Sequence, residues 1–165
     1  MGVANDRSIA WGIAKKLSEH GANLAFTYLG DALKKRVVPL AESLKSSFVL
    51  SCDVEKKEDI IRTFNDIKNK WENLDFVVHA IAFSERSELS GEYLNTSREN
   101  FLKSMLISCF SFTEVAKEAS KIMSKGSSML TLTYESSKVI PNYNVMGVCK
   151  AALESSVKYL ARDLG

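Results

Sequence analysis

Four short apolar runs alternate with stretches of helical periodicity, and this alternation constrains the fold more than any other feature of the chain. The runs are residues 23–28 (NLAFTY), 47–51 (SFVLS), 74–81 (LDFVVHAI) and 127–133 (SSMLTLT). Helical patterns occupy 8–20, 31–45, 56–71, 97–124 and 142–164. In 8–20, Ile9, Ile13, Ala14 and Leu17 share a face, and Gly21 stops the helix. Pro39 predicts a kink in 31–45. Ile60, Ile61, Phe64 and Ile67 point inward from 56–71; Phe101, Met105, Phe112 and Val115 form the apolar side of 97–124. Strands separated by helices of this length imply βαβ units, a parallel sheet and right-handed crossovers, with helices on both faces.

The ends depart from that architecture. The chain opens on the turn Gly2-Val3-Ala4-Asn5-Asp6 and enters a helix at once. A Rossmann-like doubly wound sheet has an apolar strand before that turn, central in the order 3-2-1-4-5-6. Without it, the strands on either side carry unpaired backbone groups. After the helix holding Lys150 the chain stops at Gly165, with no sixth strand. The expectation is an incomplete Rossmann-like α/β sheet, one partial dinucleotide-binding domain over 1–165, from a partial gene product or a misplaced start. No repeat or linker interrupts it, and 84–95 is the longest candidate loop.

Composition excludes several function classes. The 165 residues are 45% hydrophobic and 25% charged, and their net charge of +2 comes without a dense basic cluster, which argues against nucleic acid as a partner. No apolar run approaches the ~18 residues needed to span a bilayer. The N-terminus lacks the pattern of a secretory signal, so a cytoplasmic protein is expected. Cys52, Cys109 and Cys149 are scattered and form no CxxC pair, and His20 and His79 stand alone, so neither a disulfide framework nor a metal site is indicated.

Four places can carry chemistry. GVANDRSIAWG (2–12) is a turn into a helix: Gly2 permits close backbone approach, Asn5 or Asp6 can cap, and the amides near Ser8 and Ile9 favour an anion such as a pyrophosphate. A capped surface helix has the same sequence signature. Asp53, in Cys52-Asp53-Val54, can accept from an adenine amino group, cap the next helix, or both. His79-Ala80-Ile81-Ala82-Phe83 ends the third run, where ligands of open α/β sheets gather, although a core strand entering a loop reads alike. The fourth place is Tyr134, Tyr143 and Lys150. Seven residues at 3.6 per turn is about 20° short of two turns, so a helix starting at Asn142 puts Tyr143 and Lys150 on one face, roughly 10 Å apart. A phenol beside a fixed cation can hydrogen-bond a carbonyl and stabilise charge developing on its oxygen.

Together these residues resemble the NADH-dependent bacterial enoyl-acyl-carrier-protein reductases, a divergent branch of the short-chain dehydrogenase/reductase superfamily. The string PNYNVMG (141–147) is specific, and GVANDRSIAWGIA, LAFTY, CDV and Lys150 add order and spacing. The resemblance runs from Gly2 to Gly165 and covers roughly two thirds of a family member. It implies that Gly2, Ser8 and Ile9 line the cofactor's pyrophosphate and ribose, that Asp53 and Val54 hold the adenine, and that Ile81 lies near the nicotinamide. Ser84 would lie close to the acyl substrate. Tyr143 would donate to the thioester carbonyl, Lys150 would hold the nicotinamide ribose and add positive potential, and Tyr134 would shape the acyl pocket. An ammonium beside a phenol lowers its pKa from near ~10 or strengthens the hydrogen bond it donates. The implied cofactor is NADH rather than NADPH: no arginine ends the 23–28 strand, although Lys34 and Lys35 lie within a turn of it. The implied partners are acyl carrier protein bearing an enoyl chain and, in a complete protein, a homotetramer built on helices 97–124 and 142–164.

The chain departs from the family in three places. Ala82 replaces a usual glycine, Leu29 replaces a polar ribose contact, and the interval between the tyrosines is one residue short. Two other readings exist. Ketone and alcohol reductases of the superfamily have three residues between tyrosine and lysine rather than the six here, and a serine at the position of Leu130. A non-catalytic remnant is the other, favoured by the missing first strand.

Overall fold

Strand and helix alternate along the chain as the periodicity requires. The computed structural model describes residues 1–165. Its elements are α1 (Ile9–Glu19), β1 (Phe26–Tyr28), α2 (Gly30–Ser43), β2 (Val49–Ser51), α3 (Lys57–Trp71), β3 (Phe76–His79), α4 (Arg98–Met105), α5 (Ser111–Ala119), β4 (Ser128–Thr131) and α6 (Val145–Leu164). A π-helical turn, Leu106–Phe110, joins α4 to α5. The chain forms two units: Met1–Ala80 with Ile122–Leu130, and Ile81–Lys121 with Thr131–Gly165.

In the first unit β1 and β2 are parallel, with Phe26, Thr27 and Tyr28 opposite Val49, Leu50 and Ser51. β3 pairs with β4 in a second two-stranded sheet. The core gathers Val3, Ala10, Trp11, Ala14, Phe26, Val37 and Ala41. Trp11 meets Phe26 with ring centroids 6.5 Å apart. The buried face of α1 is therefore Ala10, Trp11 and Ala14, and Ile9 is 71% exposed, correcting the predicted face. Successive helical residues are 100° apart, so a helix that buries a tryptophan and the alanine before it turns Ile9 outward. α3 buries Ile60, Thr63, Phe64 and Ile67, while Ile61 is only partly covered. α2 continues through the exposed Pro39, where water can satisfy the Lys35 carbonyl that loses its helical partner.

The strands are shorter than their apolar runs because a strand is defined by pairing. Residues 23–25 precede β1 and line a groove instead of meeting a neighbour. At the N-terminus, the Met1 ammonium donates to the Val78 carbonyl at 2.8 Å and the Ala80 amide donates to the Met1 carbonyl at 3.1 Å. That pair of bonds is a parallel bridge between Met1 and His79.

The second unit is helical. The run 98–119 is continuous through its π turn, and α6 packs against it. Ile107, Phe112, Val115, Ala116, Val145, Cys149 and Leu153 are buried. Asn100, Ser104, Ser108 and Ser111 are buried on the same run. Ser97 caps α4, accepting from the Asn100 amide at 3.1 Å. All three cysteines are free and buried. No helix is long and apolar enough to cross a membrane.

Candidate active site

The predicted site residues fall into two sets, one in each unit. In the first unit, Gly2 sits at φ +92°, and a Cβ there would lie 2.0 Å from the Ala80 carbonyl oxygen. A packing constraint within the protein is thus sufficient reason for glycine at this position. The turn after it is self-bonded: the Arg7 amide donates to Asn5 Oδ1 at 2.9 Å, and Ser8 Oγ donates to the Asn5 carbonyl at 2.7 Å. Ser8 is the N-cap residue of α1, so the amides of Ile9 and Ala10 have no helical carbonyl behind them and form an anion-favouring helix start.

Asp53 does not cap α3, whose N-cap residue is Lys56. Its carboxylate accepts from the Glu55 amide at 3.1 Å and lies 3.3 Å from Lys56 Nζ, closing the turn before the helix. Val54 is 6% exposed, so a base at this point would meet mainly its backbone. Leu29, the N-cap residue of α2, is half exposed and offers no side-chain hydrogen bond.

In the second unit Ser84 and Lys150 are held by hydrogen bonds to residues 16 and 18 positions away, Tyr134 and Tyr143 meet each other, and Ile81 is half-buried. Tyr143 is not on α6. The helix begins at Val145, and Tyr143 occupies the preceding turn between Asn142 (φ 59°) and Asn144 (φ 37°). Asparagine is among the residues that tolerate positive φ, and Asn144, at ψ −119°, adopts the first central position of a tight turn, a conformation usual for glycine, so Asn-Tyr-Asn forms a turn that the 3.6-residue argument reads as helix. The Tyr143 carbonyl accepts from the Met146 amide at 2.8 Å, tying the turn to α6. Tyr143 and Tyr134 meet edge to face, centroids 5.4 Å apart at 62°.

Lys150 is 5% exposed, and its Nζ donates to the Leu132 carbonyl at 2.8 Å. Burial lowers its pKa. Burial also raises the Tyr143 phenol above its ordinary value, helped by Cys149 and Tyr134. The expected depression by the Lys150 ammonium is not found. The phenol therefore stays in its O–H form at neutral pH, which is the form that donates.

Three residues absent from the predicted site organise it. Asn100, 2% exposed, accepts from the Glu85 amide at 3.0 Å and exchanges hydrogen bonds with Ser84 Oγ at 3.1 and 3.3 Å. It also donates to Glu88 at 3.1 Å. Ser84 is thereby held by α4. Glu154, one turn after Lys150, accepts from Thr133 Oγ1 at 2.7 Å and from Ser136 Oγ, bracketing Tyr134. Asn144 Nδ2 donates to the Glu88 carbonyl at 3.0 Å, fastening the loop after Ser84 to the Tyr143 turn. The available sequence signal was a polar residue recurring every four positions (Asn100, Ser104, Ser108) on the inward side of a helix.

In the first unit, the open amides at the start of α1 suit a phosphate and the Asp53 carboxylate can accept from an adenine amino group; in the second, the Lys150 ammonium suits ribose hydroxyls. The family model described as Enoyl-(Acyl carrier protein) reductase matches residues 2–165. A Rhizobium meliloti (strain 1021) protein named enoyl-[acyl-carrier-protein] reductase [NADH] 2 is 61% identical over 166 residues, covering 100% of this chain and 62% of that protein. FabI from Candidatus Liberibacter asiaticus superposes with TM-score 0.97 at 56% identity, covering 99% of this chain and 64% of the other. Enoyl-(acyl-carrier-protein) reductase from Anaplasma phagocytophilum, crystallised with NAD, gives TM-score 0.96 at 57% identity, again over 99% and 64%. The chain thus spans somewhat less than two thirds of these relatives. With its residues 2–165 matched by that family model, the chain belongs to the enoyl-(acyl carrier protein) reductase family.

Proposed function

We propose that this chain serves NADH-dependent reduction of the trans-2 double bond of enoyl thioesters on acyl carrier protein, in fatty acid biosynthesis. The carrying observation is the Tyr143 phenol, raised in pKa by burial and set against Tyr134, with Lys150 anchored two residues before Tyr134. Bound NADH supplies the hydride. Tyr143 donates its hydrogen bond to the thioester carbonyl oxygen and stabilises the negative charge that grows there. Lys150 spends one N–H on Leu132 and has two left for ribose hydroxyls. Ser8 and Ile9 present the α1 amides to the pyrophosphate, beside Gly2. Asp53 and Val54 take the adenine, Ile81 the nicotinamide side, and Ser84, held by Asn100, the acyl group. Tyr134 walls the acyl pocket.

Two further points rest on the same reading. The exposed Leu102, Phe110, Val148, Val157 and Tyr159 supply apolar surface on the α4–α5 run and on α6 for a homotetramer. The free buried thiols suit a cytoplasmic protein.

The test follows NADH oxidation with crotonyl-acyl carrier protein, alongside NADH binding by calorimetry. Tyr143→Phe loses about 10²-fold or more in turnover, the scale of an acid–base or hydrogen-bonding group, while NADH affinity stays within about twofold. Lys150→Ala weakens NADH binding instead. Unchanged turnover in Tyr143→Phe defeats the assignment. Absence of turnover in the unsubstituted chain selects the second reading, a non-catalytic remnant, which the separation of the β1·β2 and β3·β4 sheets favours.

A further inference from the structure

A hydrogen-bonded path lying wholly within the second unit joins the turn that carries Tyr143 to Ser84. Asn144 Nδ2 donates to the Glu88 carbonyl at 3.0 Å and to the Gly91 carbonyl at 3.4 Å. The Glu88 carboxylate accepts from the Ser97 amide at 2.9 Å, from Ser97 Oγ at 2.7 Å and from Asn100 Nδ2 at 3.1 Å. Asn100 in turn holds Ser84 Oγ and the Glu85 amide. Glu88 is thus tied by its side chain to the start of α4 and by its main chain to the Tyr143 turn.

The backbone of Asn144 is an independent observation. The Met146 amide donates to the Tyr143 carbonyl, so residues 143–146 form a tight turn with Asn144 at its first central position. Its φ of 37° and ψ of −119° lie near those of a type II′ turn, where glycine is the unstrained residue. A turn with no further task is best served by glycine there. Asparagine in that conformation stores strain, which persists where the surrounding structure over-determines it. What asparagine has and glycine lacks is a side-chain amide, and that amide is spent on two carbonyls of the segment 84–95. We propose that Asn144 is a positioning residue: it fixes the segment carrying Ser84 against the Tyr143 turn, and so sets the acyl pocket relative to the phenol that meets the thioester carbonyl. This rests on the function proposed above. Asn144 touches neither substrate nor cofactor and acts through Glu88 and Asn100 on Ser84. Losing the link therefore falls on the acyl thioester and spares NADH.

The test compares Asn144→Gly, Asn144→Asp and Asn142→Gly with the unsubstituted 165-residue chain. Glycine removes strain and donor together. Aspartate keeps the size of the side chain but has only acceptors to offer the two carbonyls. Asn142→Gly relieves a φ of 59° at an exposed residue nearby and leaves the link alone. Amide hydrogen exchange is the readout independent of catalysis: both Asn144 variants speed exchange at Glu88, Leu89 and Ser97 about tenfold or more, while Met146 stays protected in Asn144→Gly. With crotonyl-acyl carrier protein their KM rises about tenfold, the scale of two lost hydrogen bonds; kcat falls less, and NADH affinity by calorimetry stays within about twofold. Unchanged exchange in both Asn144 variants overturns the inference. Equal acceleration by Asn142→Gly also overturns it, since loosening of the turn would then be the cause. Faster exchange with an unmoved KM reduces Asn144 to a structural link and overturns it as well. If the unsubstituted chain does not turn over, the proposed function is what fails, and the exchange pattern alone decides whether Asn144 fixes the segment.

Discussion

Replacing Gly2 by alanine separates a packing role for this glycine from a role in admitting a ligand. The new Cβ would stand 2.0 Å from the Ala80 oxygen and 2.5 Å from its carbon, far inside contact distance, on a residue whose φ is +92°. Two relaxations are open. If the segment stays in place, left-handed backbone alone costs about 1–2 kcal/mol, and the clash adds to it. If Met1–Val3 lets go, Val3 leaves the core, where it is 5% exposed, at about 1.5–3 kcal/mol. The two Met1 backbone bonds go with it, at about 0.5–1.5 kcal/mol each. Release thus costs roughly 2.5–6 kcal/mol, an upper figure because the unfolded chain already covers some apolar surface. A loss near 3 kcal/mol is expected, or roughly 6–12 °C in Tm for a chain of this size. Gly21→Ala is the control: φ is +82° but no atom lies within 4 Å, so only the backbone term applies. Urea unfolding followed by Trp11 and Trp71, both in the first unit, reads the difference. Equal midpoints for the two variants would refute the packing argument and return Gly2 to a ligand role.

Three other outcomes are expected. Burial holds the Met1 amino group at about 6 against an ordinary 8.0. Because the folded value is the lower one, the unfolded chain holds more protons between these values, and stability rises with pH across that window by at most about 2–3 kcal/mol. Denaturation of the N-acetylated chain should be flat over the same window, and parallel pH curves for the two forms would contradict the burial. Asn100→Ala strands the Glu85 amide and the Ser84 and Ser104 hydroxyls, for a loss of about 2–4 kcal/mol; faster hydrogen exchange at Glu85 is the specific readout. Leu153→Ala, at a fully buried position, should cost about 2–5 kcal/mol, whereas Leu164→Ala, half exposed, should stay within about 0.5 kcal/mol, both read by calorimetry.

The fold was legible wherever burial repeats along the chain. α3 was predicted over 56–71 and occupies Lys57–Trp71, because Ile60, Phe64 and Ile67 mark one face without competition. The α1 span was predicted correctly, but its face was not. Apolar residues lie on more than one side of that helix, and docking against Phe26 chose Trp11 over Ile9. The buried polar line Asn100, Ser104, Ser108 and Ser111 reads as a solvent face by composition. It is inward because Asn100 and Ser108 satisfy the loop at 83–88.

The sequence by itself determined the alternation of elements, the family and the six-residue interval between Tyr143 and Lys150. These depend on local periodicity and on order along the chain. Only the tertiary structure decided that Tyr143 rides a left-handed turn, that its phenol is raised rather than lowered, and that Lys150 is fixed on Leu132. It alone showed Gly2 packed against Ala80 and Met1 seated as a strand residue beside His79. Each of these joins residues that docking brings together: Met1 and Val78 are 77 positions apart, Ser108 and Phe83 are 25 apart, and Glu154 and Thr133 are 21 apart. Periodicity along the chain carries no information about which distant carbonyl an amide will meet; that is set when packed elements exclude water and every buried polar group must find a partner.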